Sequence, residues 1–146
     1  MKSSSVIQEL RRIAKAHGGI LQPEAVVDAA RAEENPLHSR FQWDDTEAAR
    51  QYRIWQARHL IRISVETLAP KGGEEISVRV FASLIPDRDE EGGGYRLMSS
   101  VMSNAGMRRQ LLADALAEMQ LFEAKYAQLQ ELAEIFAAVR KVRAVA

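Results

Sequence analysis

Residues 43–67, WDDTEAARQYRIWQARHLIRISVET, change period partway along, and the fold turns on that change. Up to about Ile61 the apolar residues recur at helical spacing around most of a circumference: Ala48, Tyr52 and Trp55; Ala49 and Leu60; Ile54, Ala57 and Ile61. Only the narrow stripe Glu47, Gln51, Arg58 and Arg62 stays polar. A helix apolar nearly all round is a central one, so this segment is the expected hub of an N-terminal domain, with Trp55 in its core. Asp44 with Glu47 makes a capping-box pattern, and Trp43 precedes it where a hydrophobic staple packs. From Ile61 the period becomes two. Ile61, Ile63, Val65 and Thr67, and then Ile76, Val78, Val80, Ala82 and Leu84, predict two strands with one face buried. Residues 69–75, including Lys71, join them as a long hairpin loop; 86–94 form a second loop, and Tyr95-Arg96-Leu97-Met98 adds a short third strand.

Working toward the N-terminus, two helices precede this hub. Ser5 followed by Gln8 fits a capping box, and Val6, Leu10, Ile13, Ala14 and His17 then recur at helical spacing. Gly18-Gly19 ends that helix, because glycine takes the left-handed conformation a helix C-terminus uses. Pro23 opens the second helix, where its missing amide costs nothing, and Asn35-Pro36 closes it. Phe41 and Trp43 in the following connection are expected to anchor it to the core.

Toward the C-terminus the reading is a single long helix from about Asn104 to Arg140, with no proline and Gly106 as its one glycine. Leu112, Met119, Tyr126 and Ala133 recur every seven residues, and Ala115, Phe122, Leu129 and Phe136 form a second row three residues on. That is a heptad seam, widened by Leu111, Leu132 and Val139 so that a bundle or trimer fits it as well as a dimer. The expected oligomerisation residues are Leu112, Met119, Phe122, Tyr126, Leu129 and Phe136. The expected organisation is therefore α+β, mainly α: residues 1–103 as a compact three-helix unit with a β-hairpin, and 104–146 as an oligomerising helix.

Composition bounds the chemistry. The chain has 146 residues, no cysteine, and equal numbers of basic and acidic groups, 20 each. Disulfides, thiolate catalysis and cysteine-based zinc sites are excluded. Residues 1–62 carry +2, 63–103 carry −3 and 104–146 carry +1, so no strong global field points to nucleic acid or a membrane. No apolar run approaches the roughly 18 residues of a membrane span, and the start lacks the apolar stretch of a secretory signal, which places the protein in the cytoplasm. His17, His38 and His59 are isolated, no Gly-Lys-Ser/Thr phosphate loop exists, and Gly92-Gly93-Gly94 lacks a strand-to-helix setting. Asp87, Asp89 and Glu91 before Gly92 imitate the opening of a calcium loop, but Met98 stands where its bidentate glutamate belongs. The expectation is no enzyme, no cofactor and no metal.

The order helix, helix, helix, strand, loop, strand over residues 5–85 is similar to a winged helix, whose third helix enters the DNA major groove while the hairpin loop touches the backbone. That resemblance implies Gln51, Arg58 and Arg62 facing DNA and Lys71 in the wing; a solvated face on a core helix is the plainer alternative. The stretches 19–27, 36–39, 41–44 and 52–58, with 93–96 and 111–116, resemble small uncharacterised proteins of bacteriophages and prophages. The resemblance implies a phage context and carries no assigned activity or site. Two functions fit these readings. One is a phage-type nucleic-acid-binding accessory or regulatory protein acting as a homo-oligomer, with DNA as partner. The other is a structural or adaptor protein that works by self-association and contact with a phage or host protein.

Overall fold

The computed structural model describes residues 2–43, 46–69 and 71–146, with side chains from Ser5 onward. The chain is mainly helical with a small antiparallel sheet, and it divides into two compact units, Met1–Ser103 and Asn104–Ala146.

In the first unit α1 spans Lys2–Ala16, three residues earlier than a Ser5 cap predicts, so Ser5 lies inside the helix. Its apolar row is buried: Val6, Leu10, Ile13 and Ala14 all face the core. Gly18 and Gly19 take positive φ (67° and 87°), and the Gly19 amide donates to the Ala14 carbonyl at 2.8 Å to close the helix. Strand β1 (Ile20–Leu21) leads into α2 (Pro23–Ala30), with Pro23 at the first helical position. The connection that follows is anchored by its aromatics. Phe41 is buried, Trp43 stacks on His38 at 5.1 Å, and the Trp43 indole donates to the His38 carbonyl at 3.1 Å.

Helix α3 spans Glu47–Ile63. Asp44 lies outside the described residues; the observed cap is Thr46, whose hydroxyl accepts from the Ala49 amide at 3.1 Å. The helix continues two residues past the point where a period of two sets in, so Ile61 and Ile63 belong to α3 and not to a strand. The alternation of isoleucines is compatible with both periods over so short a run.

Strands β2 (Val65–Leu68) and β3 (Ile76–Arg79) pair antiparallel, from Val65 opposite Arg79 to Leu68 opposite Ile76. Neither has a fully buried residue, which corrects the expectation of one buried face. The run 76–84 does not continue as one strand. Val80 bends out of the hairpin, donating its amide to the Ser64 carbonyl and accepting from the Met98 amide, and β4 (Phe81–Ala82) joins a different sheet. Three consecutive residues, Val80, Phe81 and Ala82, are buried at that bend, so strict alternation fails there.

Helix α4 (Ile85–Arg88) is one turn inside the expected second loop, and β5 (Tyr95–Leu97) is the expected third strand. It lies between β1 and β4, away from the hairpin. A Cβ on Gly94 would stand 2.6 Å from Ile20 Cγ2, so the approach of β5 to β1 requires glycine there. Arg96, in mid-sheet, donates twice to the Asp87 carboxylate (2.7 and 2.8 Å), which raises the guanidinium pKa further and occupies the carboxylate that had looked like a calcium ligand. Helix α5 (Met98–Ser103) was not legible from its short, Ser-rich sequence.

In the second unit, α6 (Ala105–Tyr126) is capped by Asn104, which accepts from the Met107 amide at 2.9 Å. The expected single helix to Arg140 is interrupted after Tyr126. The chain bends through 127–129, makes a 3-10 turn at Gln130–Leu132 and returns as α7 (Ala133–Val145). Phe136 is 3% exposed and meets Phe122 edge-on at 6.1 Å, and Arg140 pairs with Glu123 across the hairpin. Leu129 is therefore in the bend and not in a helix.

Glu9 ties α1 to the start of the connection, accepting from Arg12 (2.6 and 2.8 Å) and from Asn35 Nδ2 (2.7 Å). The Arg12 hydrogen bond holds its carboxyl below the usual carboxylate range, against the opposing effect of burial. A depressed folded-state pKa contributes stability above the unfolded value and loses it as pH falls through the folded one. Glu9→Gln should cost about 1 kcal/mol at neutral pH and nearly nothing once acid protonates the wild-type carboxyl. Denaturant melts of both proteins at pH 7 and pH 3 check it; equal gaps at the two pH values refute the assignment.

Candidate nucleic-acid interface

Helix α3 has one rotational phase, and its buried side is Arg53, Ile54, Ala57, Leu60 and Ile61. The opposite side therefore faces water. It carries Gln51, Arg58 and Arg62, as their shared helical register requires, together with Tyr52, Trp55, His59 and Ile63. Trp55 is 57% exposed and Tyr52 46% exposed, which overturns their placement in the core.

The exposed aromatic rings are ordered against one another. Tyr52 stacks on Trp55 with ring centres 5.7 Å apart and planes 14° from parallel; Trp55 stacks on His59 at 5.8 Å and 5°. The spacing i, i+3, i+7 places all three on one side of the helix, and the result is a ladder of near-parallel rings along two turns. Arginines flank it in the same register.

Several arginines of the first unit are committed, whereas Arg58 and Arg62, like Arg40, Arg50 and Arg79, have no such partner among the described residues, so what singles out these two is their place beside the ladder. Arg11 is bound to Glu66 at 2.6 Å, Arg12 to Glu9, Arg96 to Asp87, and Arg53 donates to the Gln42 carbonyl at 3.0 Å. Among the described residues, Arg58 and Arg62 make no ion pair and no side-chain hydrogen bond. Gln51 donates to Glu47 at 3.1 Å one turn back. Three of the four expected contact residues, Gln51, Arg58 and Arg62, thus share one face; Lys71 is exposed in the hairpin loop, off that helix. Hydrophobicity alone places Tyr52 and Trp55 in the core, which hides the aromatic ladder from a sequence reading. The signal for it was Arg53, which competes with them for the inward phase.

Among the described residues no cluster of three or more His, Asp or Glu side chains could hold a metal ion, and no helix is long and apolar enough to cross a membrane. The chain matches no family model, no curated protein and no solved structure. The phage resemblance and the winged-helix likeness therefore rest on the quoted residues and the element order alone.

An exposed ladder predicts a particular stability result. Trp55→Ala should change unfolding free energy by no more than about 1 kcal/mol, as surface substitutions do. Trp43→Ala should cost about 3 kcal/mol, because Trp43 packs under His38, Phe41 and Arg53. Thermal melts of the two variants side by side make the comparison, and a larger loss for Trp55 would return it to the core.

Proposed function

We propose that the chain is a non-enzymatic nucleic-acid-binding accessory or regulatory protein acting as a homo-oligomer, and that the exposed face of α3 is its contact surface. The observation that carries this reading is the ladder Tyr52–Trp55–His59 standing in water beside two uncommitted guanidinium groups. Aromatic faces stack on bases without regard to sequence, and arginine neutralises the phosphates that connect them. Rings laid along the helix offer few hydrogen bonds to the edges of paired bases, so the surface suits unpaired strands better than a duplex groove. What supports the winged-helix-like arrangement, with Lys71 as a backbone contact in the hairpin loop, is the succession α1, α2, α3, β2, β3 within residues 5–85. The bacteriophage setting rests on the resemblance alone.

A second reading, an adaptor that docks another protein, is favoured by Ile63, Val65, Leu68 and Ile76, which leave α3 and the hairpin partly apolar toward solvent.

The two are separated by binding of single-stranded and duplex DNA across a salt series. Replacing Arg58 and Arg62 by alanine should flatten the dependence of log K on log salt by about two counterions. Replacing Arg11 and Arg12, already held by carboxylates, should change it far less. Trp55→Ala should weaken single-strand binding by about 1–3 kcal/mol and leave the salt slope in place. A wild type with no salt-sensitive affinity for either form at about 50 mM salt removes this reading and leaves the adaptor.

A further inference from the structure

The second unit hides little of its own apolar surface. Among its side chains Phe136 is the one fully buried apolar group, while Leu121, Leu129, Ile135, Val142 and Val145 are each close to half exposed or more. Two short helices in isolation cannot exclude enough water to offset the entropy of ordering them. Helical hairpins of this kind are stable when a second pair of helices covers them.

The geometry points to a second copy of this chain, paired antiparallel, with the bend of each copy seated in an apolar trough of the other. This proposal rests on the self-association part of the proposed function and is independent of the nucleic-acid part.

Three features select that occupant and that direction. The first is a stripe. Ile135, Ala138, Val142 and Val145 follow one another at spacings of three, four and three residues, all exposed, along the flank of α7 turned away from Phe136. That is heptad spacing with nothing of its own unit covering it.

The second is a trough of about 620 Å³ at the open end of the hairpin, where Leu112 and Leu116 of α6 face Val145 of α7, with Arg109 and Arg143 at its edge. The bend at the opposite end presents Leu129 outward, with Glu131 and Glu134 just beyond it. An apolar side chain followed by two carboxylates fits an apolar trough edged by two guanidinium groups. The complement is carried on the same molecule.

The third is the distribution of charge along the hairpin. Arg108, Arg109 and Arg143 lie toward the open end, against Asp114 alone; Glu131 and Glu134 lie at the bend, against Lys125 alone; Glu118, Glu123, Arg140 and Lys141 lie between, where Arg140 pairs with Glu123. A parallel pair would set like charges together at both ends. An antiparallel pair sets the acidic bend of each copy against the basic open end of the other, twice over, as a two-fold axis requires.

The absence of cysteine makes the test clean, because a single introduced thiol is the sole attachment point. The full chain should sediment as a dimer at micromolar concentration. Arg109→Glu with Arg143→Glu, and separately Glu131→Arg with Glu134→Arg, should each weaken dimerisation by at least about tenfold, since each reverses one side of a complementary pair. An equimolar mixture of the two should restore a dimer, which shows that neither variant had lost its fold. Spin labels on Gln128→Cys should lie farther apart than the roughly 20 Å length of α7, because antiparallel pairing puts the two bends at opposite ends. A monomeric wild type overturns both this proposal and the self-association reading. A dimer that ignores the charge reversals, or whose bends lie adjacent, overturns the antiparallel pairing and leaves self-association standing.

Discussion

A buried guanidinium fixes the rotation of the central helix, and most of the first unit follows from that. Arg53 is 4% exposed, donates to the Gln42 carbonyl at 3.0 Å and lies 5.3 Å above the Trp43 ring. Taking an arginine out of water costs several kcal/mol unless carbonyls and an aromatic face replace the lost hydration. The connection over 37–43 supplies one carbonyl, that of Gln42, and the Trp43 face. It is held in turn by the stacking of Trp43 on His38, whose Nδ1 lies 2.9 Å from the Ala30 carbonyl at the end of α2. Turning α3 by one residue's angle would expose Ile54 and Ile61 and strip Arg53 of its partners. With Arg53 inward, Tyr52, Trp55 and His59 have no choice but to face outward.

This coupling explains which parts of the fold were legible. Where a residue's local preference and its tertiary setting agree, sequence reading succeeds: the apolar row of α1, Pro23 at the start of α2, Gly18-Gly19 after α1 and the strand at Tyr95 all lie where local chemistry puts them. Where the two compete, it fails. Tyr52 and Trp55 are the largest apolar groups on α3, and hydrophobicity alone sends them inward; the smaller Ala57 and the charged Arg53 occupy those places because the connection was built to receive a guanidinium. The run 76–84 fails for a related reason. Its alternation is real, but the backbone of Val80 bonds to Ser64 on one side and Met98 on the other, and the chain changes sheets in mid-pattern. Of the candidate site, the polar half was legible from helical register and the aromatic half was not.

The C-terminal unit shows a different kind of ambiguity. Phe122 and Phe136 belong to one heptad row, and in a straight helix they would lie about 21 Å apart along the same face. The bend at 127–129 brings them to 6.1 Å. Ala127, Gln128 and Leu129 are good helix formers, and neither proline nor glycine marks the interruption. A row of apolar residues states that a surface must be covered; it does not state by what. Folding back covers Phe136 and part of Phe122, and breaking a few backbone hydrogen bonds at a solvent-exposed bend costs less than leaving a phenylalanine in water.

Net charge illustrates the same limit at the scale of the whole molecule. Equal numbers of acidic and basic groups remove any global field, yet electrostatics act between neighbours over about the Debye length, some 8–10 Å, and not between totals. In the first unit the carboxylates of Glu9, Glu66 and Asp87 are spent on Arg12, Arg11 and Arg96. Each such pair subtracts one acid and one base from what a partner encounters. On α3, Arg58 and Arg62 lie outside that pairing, while Glu47, in the first turn, accepts from the neutral amide of Gln51 and keeps its own charge two turns or more away from Arg58. In the second unit the two ends differ, with Arg108, Arg109 and Arg143 toward the open end and Glu131 and Glu134 at the bend, while Glu123 and Arg140 pair between them. A neutral chain can thus carry locally uncompensated charge, because pairing and placement, which depend on the fold, decide where it is left.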